Sequence, residues 1–478
     1  MAATEIQEPR TYGNWRKPTS AGILGLGTIG TALLLVGLVV VVLTALIGGL
    51  LKAVVLAAVL AVLMVAVLSK DRHGRNVVSR ASARGAWWWA RSQRTNVYRS
   101  GPLGRSLWGT FQLPGLAAST RLSEHEDSYG RLFGMLYTPA TSSYSVVIGT
   151  EPDGAALVDE EQIDAWVADW GRARYRIRLG HRRDGSDTGT RLHREVMHNL
   201  DPDAPAFAQA MLEQVVDAYP SGSSTVKAYV AITFGAANRK GSKKRQAEEM
   251  GHELATRLPG LTAALQATGA GAAHPLTAQD LCEVVRVAYD PASAVLIDEA
   301  HSLGQHVELT WPDVGPVSAE AAWDSYRHDS GYSVTWEMTE APRGTVQSGI
   351  LARLLTPHQE IARKRVSLLY RPIDAARAAA IVEADLRAAE FRMTSSNKPA
   401  ARDTLAVRAA SATANEEATG AGLVQFGMLV TATVMDPAQA ADARAAVDNL
   451  AATARLRLRT VYGSQDSAFA AALPLGLN

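Results

Sequence analysis

The stretch from Ala21 to Leu68 constrains the fold of this chain most, because Lys52 is its only charged side chain. One membrane-spanning helix needs about 20 apolar residues, so a stretch of this length accommodates two. Gly48 and Gly49 mark the turn, and the pattern predicts spans at about 23–46 and 50–68. A secretory signal is shorter than this, and a buried hairpin of a soluble protein does not need so long a stretch without an acid. The sequence therefore predicts a transmembrane hairpin at 21–68.

Basic residues flank the apolar stretch on both sides. Arg10, Arg16 and Lys17 lie in the N-terminal segment 1–20, and the juxtamembrane linker 69–104 carries Lys70, Arg72, Arg75, Arg80, Arg84, Arg91, Arg94 and Arg99. The positive-inside bias then predicts a multi-pass protein of the plasma (inner) membrane, with both termini in the cytoplasm and membrane lipid as a partner. The run Trp87-Trp88-Trp89 fits a core helix and an interfacial helix equally well.

The remaining composition excludes several classes of function. Lys and Arg number 48 and Asp and Glu 47, so no global field favours nucleic acid, and we expect no direct nucleic-acid contact. The only cysteine, Cys282, rules out an intrachain disulfide and a cysteine-based metal cluster.

The rest of the chain has the pattern of a mixed α/β region. Strand-like segments lie at 131–137, 144–150, 226–234, 332–338, 365–371 and 422–434, and helical segments at 159–172, 244–258, 373–393 and 437–456. The fold class is therefore α+β, with two cytoplasmic halves at 105–300 and 301–478. The second half reads strand, short helix, strand, long helix, second helix, strand, helix, strand, which suits ferredoxin-like packing with a helical insertion at about 396–419.

Two segments of this region are harder to interpret. Residues 262–275 are rich in Ala and Gly, which predicts a loop. Residues 171–185 are rich in Arg and His, and they fit an exposed β-loop, a lipid-headgroup patch or an irregular stretch.

The tetrapeptide Asp298-Glu299-Ala300-His301 is the strongest hint of enzymatic chemistry in the chain. In many NTPases this pattern ends a strand and holds Mg²⁺ and the attacking water, but it acts together with a phosphate loop, G-x-x-x-x-G-K-[ST]. The chain contains no Gly-Lys dipeptide. We therefore interpret the tetrapeptide as part of an ordinary helix or strand with a solvated Asp-Glu end, and we expect no P-loop domain.

Other catalytic and metal patterns are incomplete. Residues 251–256 begin like a zincin helix, but Thr256 occupies the position of the second histidine. His328-Asp329-Ser330 contains the residue types of a triad, but adjacent residues cannot reach one another in the required geometry. Gly25 to Gly30 reads G-x-G-x-x-G without the preceding strand or the acid about 20 positions on that a dinucleotide site needs. We therefore predict no catalytic, cofactor-binding or metal-ligating residue, and no cofactor.

The C-terminal third resembles a known family. Residues 420–436 and 454–476 resemble the N-terminal, non-catalytic half of the traffic ATPase of type IV secretion and conjugation systems, in which a Gln…Ala-Phe…Leu-Pro segment precedes the nucleotide-binding domain; Gln465, Phe469, Leu473 and Pro474 match that segment. Residues 276–291, 328–336 and 358–372 look like the same half. The apolar hairpin resembles the small two-helix inner-membrane subunit that partners this ATPase. Over about 10–60 and 200–478, the chain resembles the actinobacterial integral membrane protein family associated with such systems.

The resemblance and the incomplete catalytic patterns together imply a structural subunit of a larger secretion complex. The expected function is a non-enzymatic inner-membrane scaffold that anchors and docks a separate traffic ATPase, together with other secretion membrane subunits, as an oligomer within a larger complex. One alternative is a membrane component of type VII secretion. An alternative from another class is a membrane-bound ATPase that uses the Asp298-Glu299 pair.

Overall fold

The structure is a computed structural model, and the residues it describes are 27–68, 71, 73–102, 104, 109–152, 178–184, 225–236, 245–305, 307–342, 346–394, 401–420 and 422–477, with isolated residues 13, 15, 162, 163 and 166. Side chains of the first two helices are described for residues 34–47 and 50–62. Within these residues the chain forms eleven α-helices and thirteen β-strands.

The helices are α1 (Gly27–Gly48), α2 (Leu50–Leu68), α3 (Val77–Ser92), α4 (Ala247–Leu265), α5 (Ala278–Tyr289), α6 (Ser293–Ser302), α7 (Ala352–Leu355), α8 (Ala375–Thr394), α9 (Ala401–Ala418), α10 (Ala440–Thr453) and α11 (Gln465–Ala471). The strands are β1 (Val97–Arg99), β2 (Arg121–Glu126), β3 (Leu132–Thr138), β4 (Ser143–Glu151), β5 (Arg178–Asp184), β6 (Thr225–Gly235), β7 (Ala272–Pro275), β8 (Ser318–Ala321), β9 (Tyr326–His328), β10 (Gly331–Glu340), β11 (Arg363–Pro372), β12 (Val424–Val434) and β13 (Arg457–Thr460).

Helices α1 and α2 form the N-terminal hairpin. The chain turns between them at Gly49, whose φ of +90° lies in the region that favours glycine. Within the described residues, no helix combines the length and the apolar character that crossing a membrane requires. The predicted transmembrane hairpin at 21–68 and the predicted multi-pass localisation in the plasma membrane are contradicted by this finding.

All thirteen strands belong to one sheet, and every recorded pairing is antiparallel. From one edge the order is β2-β3-β4-β6-β5-β11-β12-β10-β9-β8-β1, while β7 pairs with β4 and β13 with β10. The mixed α+β class predicted from the sequence is confirmed. The predicted order of elements in the second half is also confirmed, from β10 through α7, β11, α8, α9, β12 and α10 to β13.

The sheet consists of two halves with the same topology. Outward from the centre, β5-β6-β4-β3-β2 is matched by β11-β12-β10-β9-β8. In each half a helix, α4 or α10, leads to a short strand that pairs with the C-terminal part of the long strand, β4 or β10. Because β5 and β11 pair antiparallel at the centre, an approximate two-fold rotation relates the two halves.

A short sequence repeat occupies the same place in both halves. Tyr144-Ser145-Val146 lies in β4 and Tyr332-Ser333-Val334 in β10. Ser145 is opposite Thr233 of β6, with their hydroxyl oxygens 2.9 Å apart, and Ser333 is opposite Thr433 of β12, with a separation of 2.7 Å. The register of the two halves is therefore the same, so positions along β4 and β10 can be compared directly.

The two faces of the sheet are covered differently. Helices α4 and α10 cover one face, and their separate apolar clusters both contact Leu368 of β11. The other face is covered by α5, α11 and the C-terminal residues, which share a cluster around Tyr289 and Phe469.

The C-terminal residues cross this second face and join the halves. The side-chain amide of Gln465 donates to the carbonyl of Thr335 at 3.0 Å and accepts from its N–H at 2.8 Å. The Ser367 hydroxyl donates to the carbonyl of Ala472 at 2.7 Å. Gly476 then lies against Ser145, where a Cβ would come within 2.3 Å of the hydroxyl oxygen. The segment thus passes from β10 over β11 to β4.

Several local predictions can be compared with the structure. The predicted loop at 262–275 is wrong in part, because α4 continues to Leu265 and Ala272–Pro275 pairs with β4. Residues 178–184 of the Arg-rich segment form β5, in the middle of the sheet. The helix predicted at 159–172 lies almost entirely outside the described residues. The predicted helical insertion contains α9, which packs against α8.

Candidate docking site at helix α6

Helix α6 contains the Asp298-Glu299-Ala300-His301 tetrapeptide and lies directly after α5. Helix α5 begins with a capping box, in which the Thr277 hydroxyl accepts from the N–H of Asp280 and the Asp280 carboxylate accepts from the N–H of Thr277. The N–H of Ala292, just before α6, donates to the Ser330 hydroxyl at 3.0 Å. These bonds fix where α6 leaves the body of the protein.

One face of α6 is apolar and directed outward. Only Ile297 of this helix is buried. Val295 is 70% exposed, and Leu296 and Leu303 are each 67% exposed. Their spacing places them along one side of the helix, with the exposed Glu299 between them. An apolar stripe with an acidic member is a suitable contact surface for another protein.

The acidic pair does not have the setting of an NTPase. Asp298 and Glu299 are exposed in the middle of a helix and do not follow a buried strand. The imidazole of His301 lies 3.1 Å from the Glu283 carboxylate on α5. The tetrapeptide therefore joins α6 to α5 through its histidine and presents its carboxylates to solvent, within the helix and not at its end.

A pocket of about 520 Å³ lies beside α6. It is bounded by the C-terminal end of β4, the start of β6, and helices α5 and α6. Its charged and titratable lining residues are Glu151, Lys227, Tyr229, His274, Asp280, Glu283, Asp298, His301 and Arg363. Asp280 and Glu283 already have the partners described above. Within the described residues, the carboxylates of Glu151 and Asp298 have no hydrogen-bond or ion-pair partner.

Cys282, the only thiol, lies on the inner side of α5. Its side chain is buried in the cluster around Tyr289. Burial raises the pKa of the Cys282 thiol to about 12, and nearby carboxylates act in the same direction. The thiol is therefore protonated at neutral pH and suits packing, not nucleophilic chemistry.

His328 belongs to a buried network and does not form a triad with its neighbours. Its Nδ1–H donates to the Tyr289 carbonyl at 2.5 Å, and its Nε2 accepts from the Ser333 hydroxyl at 2.7 Å. Burial lowers the pKa of His328 to about 4, and the positive charge of Arg365 acts in the same direction against the opposing Tyr289 carbonyl. The ring is neutral and links β9, β10 and α5.

The neighbours of His328 have other roles. Asp329 lies 3.3 Å from Arg286, and Ser330 donates to Asp290 at 2.5 Å. In the zincin-like segment, His252 bonds the Glu248 carbonyl and Glu253 pairs with Arg257. Among the residues the structure describes, no group of three or more His, Cys, Asp or Glu side chains is placed to hold a metal ion.

The three consecutive tryptophans differ in exposure, because Trp87 is half-buried while the other two are exposed. Trp87 packs edge-on against Trp323, with ring centroids 5.4 Å apart, and Trp323 stacks on Tyr462. Trp88 and Trp89 are exposed on α3. Only the first tryptophan of the run therefore packs against the body of the protein, and none of the three is fully buried.

The residues that carry the resemblance in the C-terminal segment are structural. Gln465 and Phe469 are fully buried, and Leu473 and Pro474 are buried. Phe469 contacts the rings of Tyr289, Tyr326 and His328, with centroids 5.1, 5.3 and 4.6 Å away. These positions close the second face of the sheet and leave α6 as the exposed candidate surface.

Comparisons with known proteins identify one domain of the chain. Residues 19–79 match a domain of unknown function, DUF8461, which covers α1, α2 and the start of α3. No curated protein matches the chain.

Proposed function

We propose that this chain is a non-enzymatic scaffold subunit of a type IV secretion or conjugation-like machine, and that it docks a separate traffic ATPase. The observation that carries the proposal is the outward apolar face of α6, where Val295, Leu296 and Leu303 are exposed together. Such a stripe is stabilised when a partner covers it, since burying one leucine contributes about 1.5–3 kcal/mol.

The resemblance supplies the identity of the partner. The segment 276–291 that resembles the non-catalytic half of the ATPase includes α5 and ends just before α6. In each half of the sheet, a long strand is flanked by two strands that one helix connects, which is the arrangement expected of ferredoxin-like packing. These features support a scaffold that resembles the non-motor part of the ATPase and binds a complete ATPase beside it.

Replacing the apolar stripe tests the proposal. With Val295→Ser and Leu296→Ser combined, we expect at least about a tenfold loss of the conjugation-type ATPase that co-purifies with the full chain. The matched control is Leu405→Ser on α9, which removes a 62% exposed leucine elsewhere and should leave co-purification unchanged. An ATPase yield that is the same with the stripe variant as with the natural sequence would contradict the proposal, and recovery of type VII components instead would favour that alternative.

The ATPase alternative has a separate test. We expect the purified full chain to hydrolyse ATP no faster than a buffer blank, because the Asp298-Glu299 pair lies exposed on a helix. The Glu299→Gln variant should give the same background rate. Phosphate release that is well above background in the natural chain and lost in Glu299→Gln would overturn the scaffold proposal in favour of an enzyme.

A further inference from the structure

The repeat of the sheet allows the pocket beside α6 to be compared with its counterpart in the second half. Since Tyr144 corresponds to Tyr332, Gly149 and Glu151 of β4 correspond to Glu337 and Thr339 of β10. Gly149 and Glu151 line the pocket. Glu337 and Thr339 therefore mark the same place on the other half.

In the second half this place is filled by the chain itself. Between α2 and α3, the Asp71 carboxylate accepts from the N–H groups of His73 and Arg75, which closes a turn before α3. The Arg75 guanidinium donates to Glu337 at 3.1 Å, and the His73 ring lies 3.4 Å from the Thr339 hydroxyl. A basic turn thus covers the end of β10.

In the first half the described residues leave a pocket of about 520 Å³ beside the corresponding place. Gly149 has no side chain there, and the position of a Cβ on it is 3.0 Å from the His274 ring and from Leu276, so these two side chains cover the glycine at the edge of the pocket. A carboxylate is supplied instead by Glu151, the next residue on the same face of β4, and by Asp298 of α6. Within the described residues neither carboxylate has a partner, whereas Glu337 has two, Arg75 and Arg459.

We infer that the pocket between β4 and α6 binds an arginine-bearing segment of the docked ATPase, as the second half binds its own Arg75 turn. The guanidinium lies between Glu151 and Asp298, while the apolar stripe of α6 contacts the surface from which the segment projects. Arginine suits the site because its fork of donors can bond two carboxylates at once. The inference rests on the proposed function for the identity of the partner, but the pocket itself can be tested without it.

The test uses a fluorescent peptide with the sequence of residues 70–77 as the probe and the full-length chain as the receptor. We expect saturable binding by fluorescence anisotropy that weakens as salt is raised. The combined variant Glu151→Gln and Asp298→Asn should weaken binding about tenfold or more, as should glutamine at both arginines of the peptide. Glu416→Gln, which changes an exposed carboxylate on α9 outside the pocket lining, should leave binding unchanged.

The outcomes separate this inference from the proposed function. Absence of saturable binding, or binding equally strong in the pocket variant, would overturn the inference even if the α6 stripe variant abolishes ATPase co-purification. Peptide binding that depends on Glu151 and Asp298 supports the inference, including in the case that no ATPase co-purifies and the proposed function fails.

Discussion

Replacing Phe469 by alanine is expected to lower the free energy of unfolding by about 3–5 kcal/mol, the usual cost of truncating a fully buried aromatic side chain. Phe469 is 0% exposed and lies at the point where α11 meets β9 and α5. Its ring also lies 5.1 Å from the Arg365 guanidinium, so its removal deprives a buried cation of a favourable face. Urea unfolding followed by circular dichroism would measure the change.

The control for this substitution is Phe391→Ala. Phe391 is on α8 and is 72% exposed, so its truncation should change the free energy of unfolding by no more than about 0.5 kcal/mol. If both variants unfold at the same urea concentration as the natural chain, Phe469 does not stabilise the packing of the C-terminal segment against the sheet.

Acidification from about pH 6.5 to pH 4 is expected to cost the protein roughly 3 kcal/mol through His328 alone. Burial lowers the pKa of His328 in the folded chain to about 4, whereas an unfolded histidine titrates near 6.5. Between these values the unfolded chain binds a proton that the folded chain does not, so stability is fully present above about pH 6.5 and is lost as the pH falls towards 4.

A histidine variant isolates this contribution from that of the carboxylates. The difference in unfolding free energy between pH 7 and pH 4.5 should be smaller in His328→Gln than in the natural chain. The same pH dependence in both proteins would show that His328 is not held neutral by burial.

Much of the fold was predictable because the strands are strongly patterned. The six segments assigned as strands are rich in apolar residues, with β-branched or aromatic side chains in each, and each forms a strand within a few residues of the predicted bounds. The duplication is not predictable from the sequence alone, although Tyr-Ser-Val occurs in two of those segments. Three residues are a weak sequence signal. The repeat becomes evident only in the sheet, where each serine pairs with a threonine of the neighbouring strand that is far away in the sequence.

The candidate site was harder to predict from the sequence than the fold. The absence of a Gly-Lys dipeptide argues against a phosphate loop that could act with Asp298-Glu299. The exposure of Val295 and Leu296 depends on tertiary packing, which a helix of mixed polarity does not reveal. The pocket brings together residues from β4, β6, β7, α5, α6 and β11, so no local pattern indicates it. The apolar composition of 21–68 was also an insufficient guide, since no described helix meets the requirement for a membrane span.

The antiparallel contact of β5 with β11 has a consequence for the edges of the sheet. A polypeptide containing only one half would leave its central strand as an unpaired edge, and two copies could satisfy both edges by pairing symmetrically. In the present chain the second half takes the place of that second copy. Because the two halves differ in sequence, the Arg75 turn covers the end of β10, while the corresponding end of β4 lines a pocket.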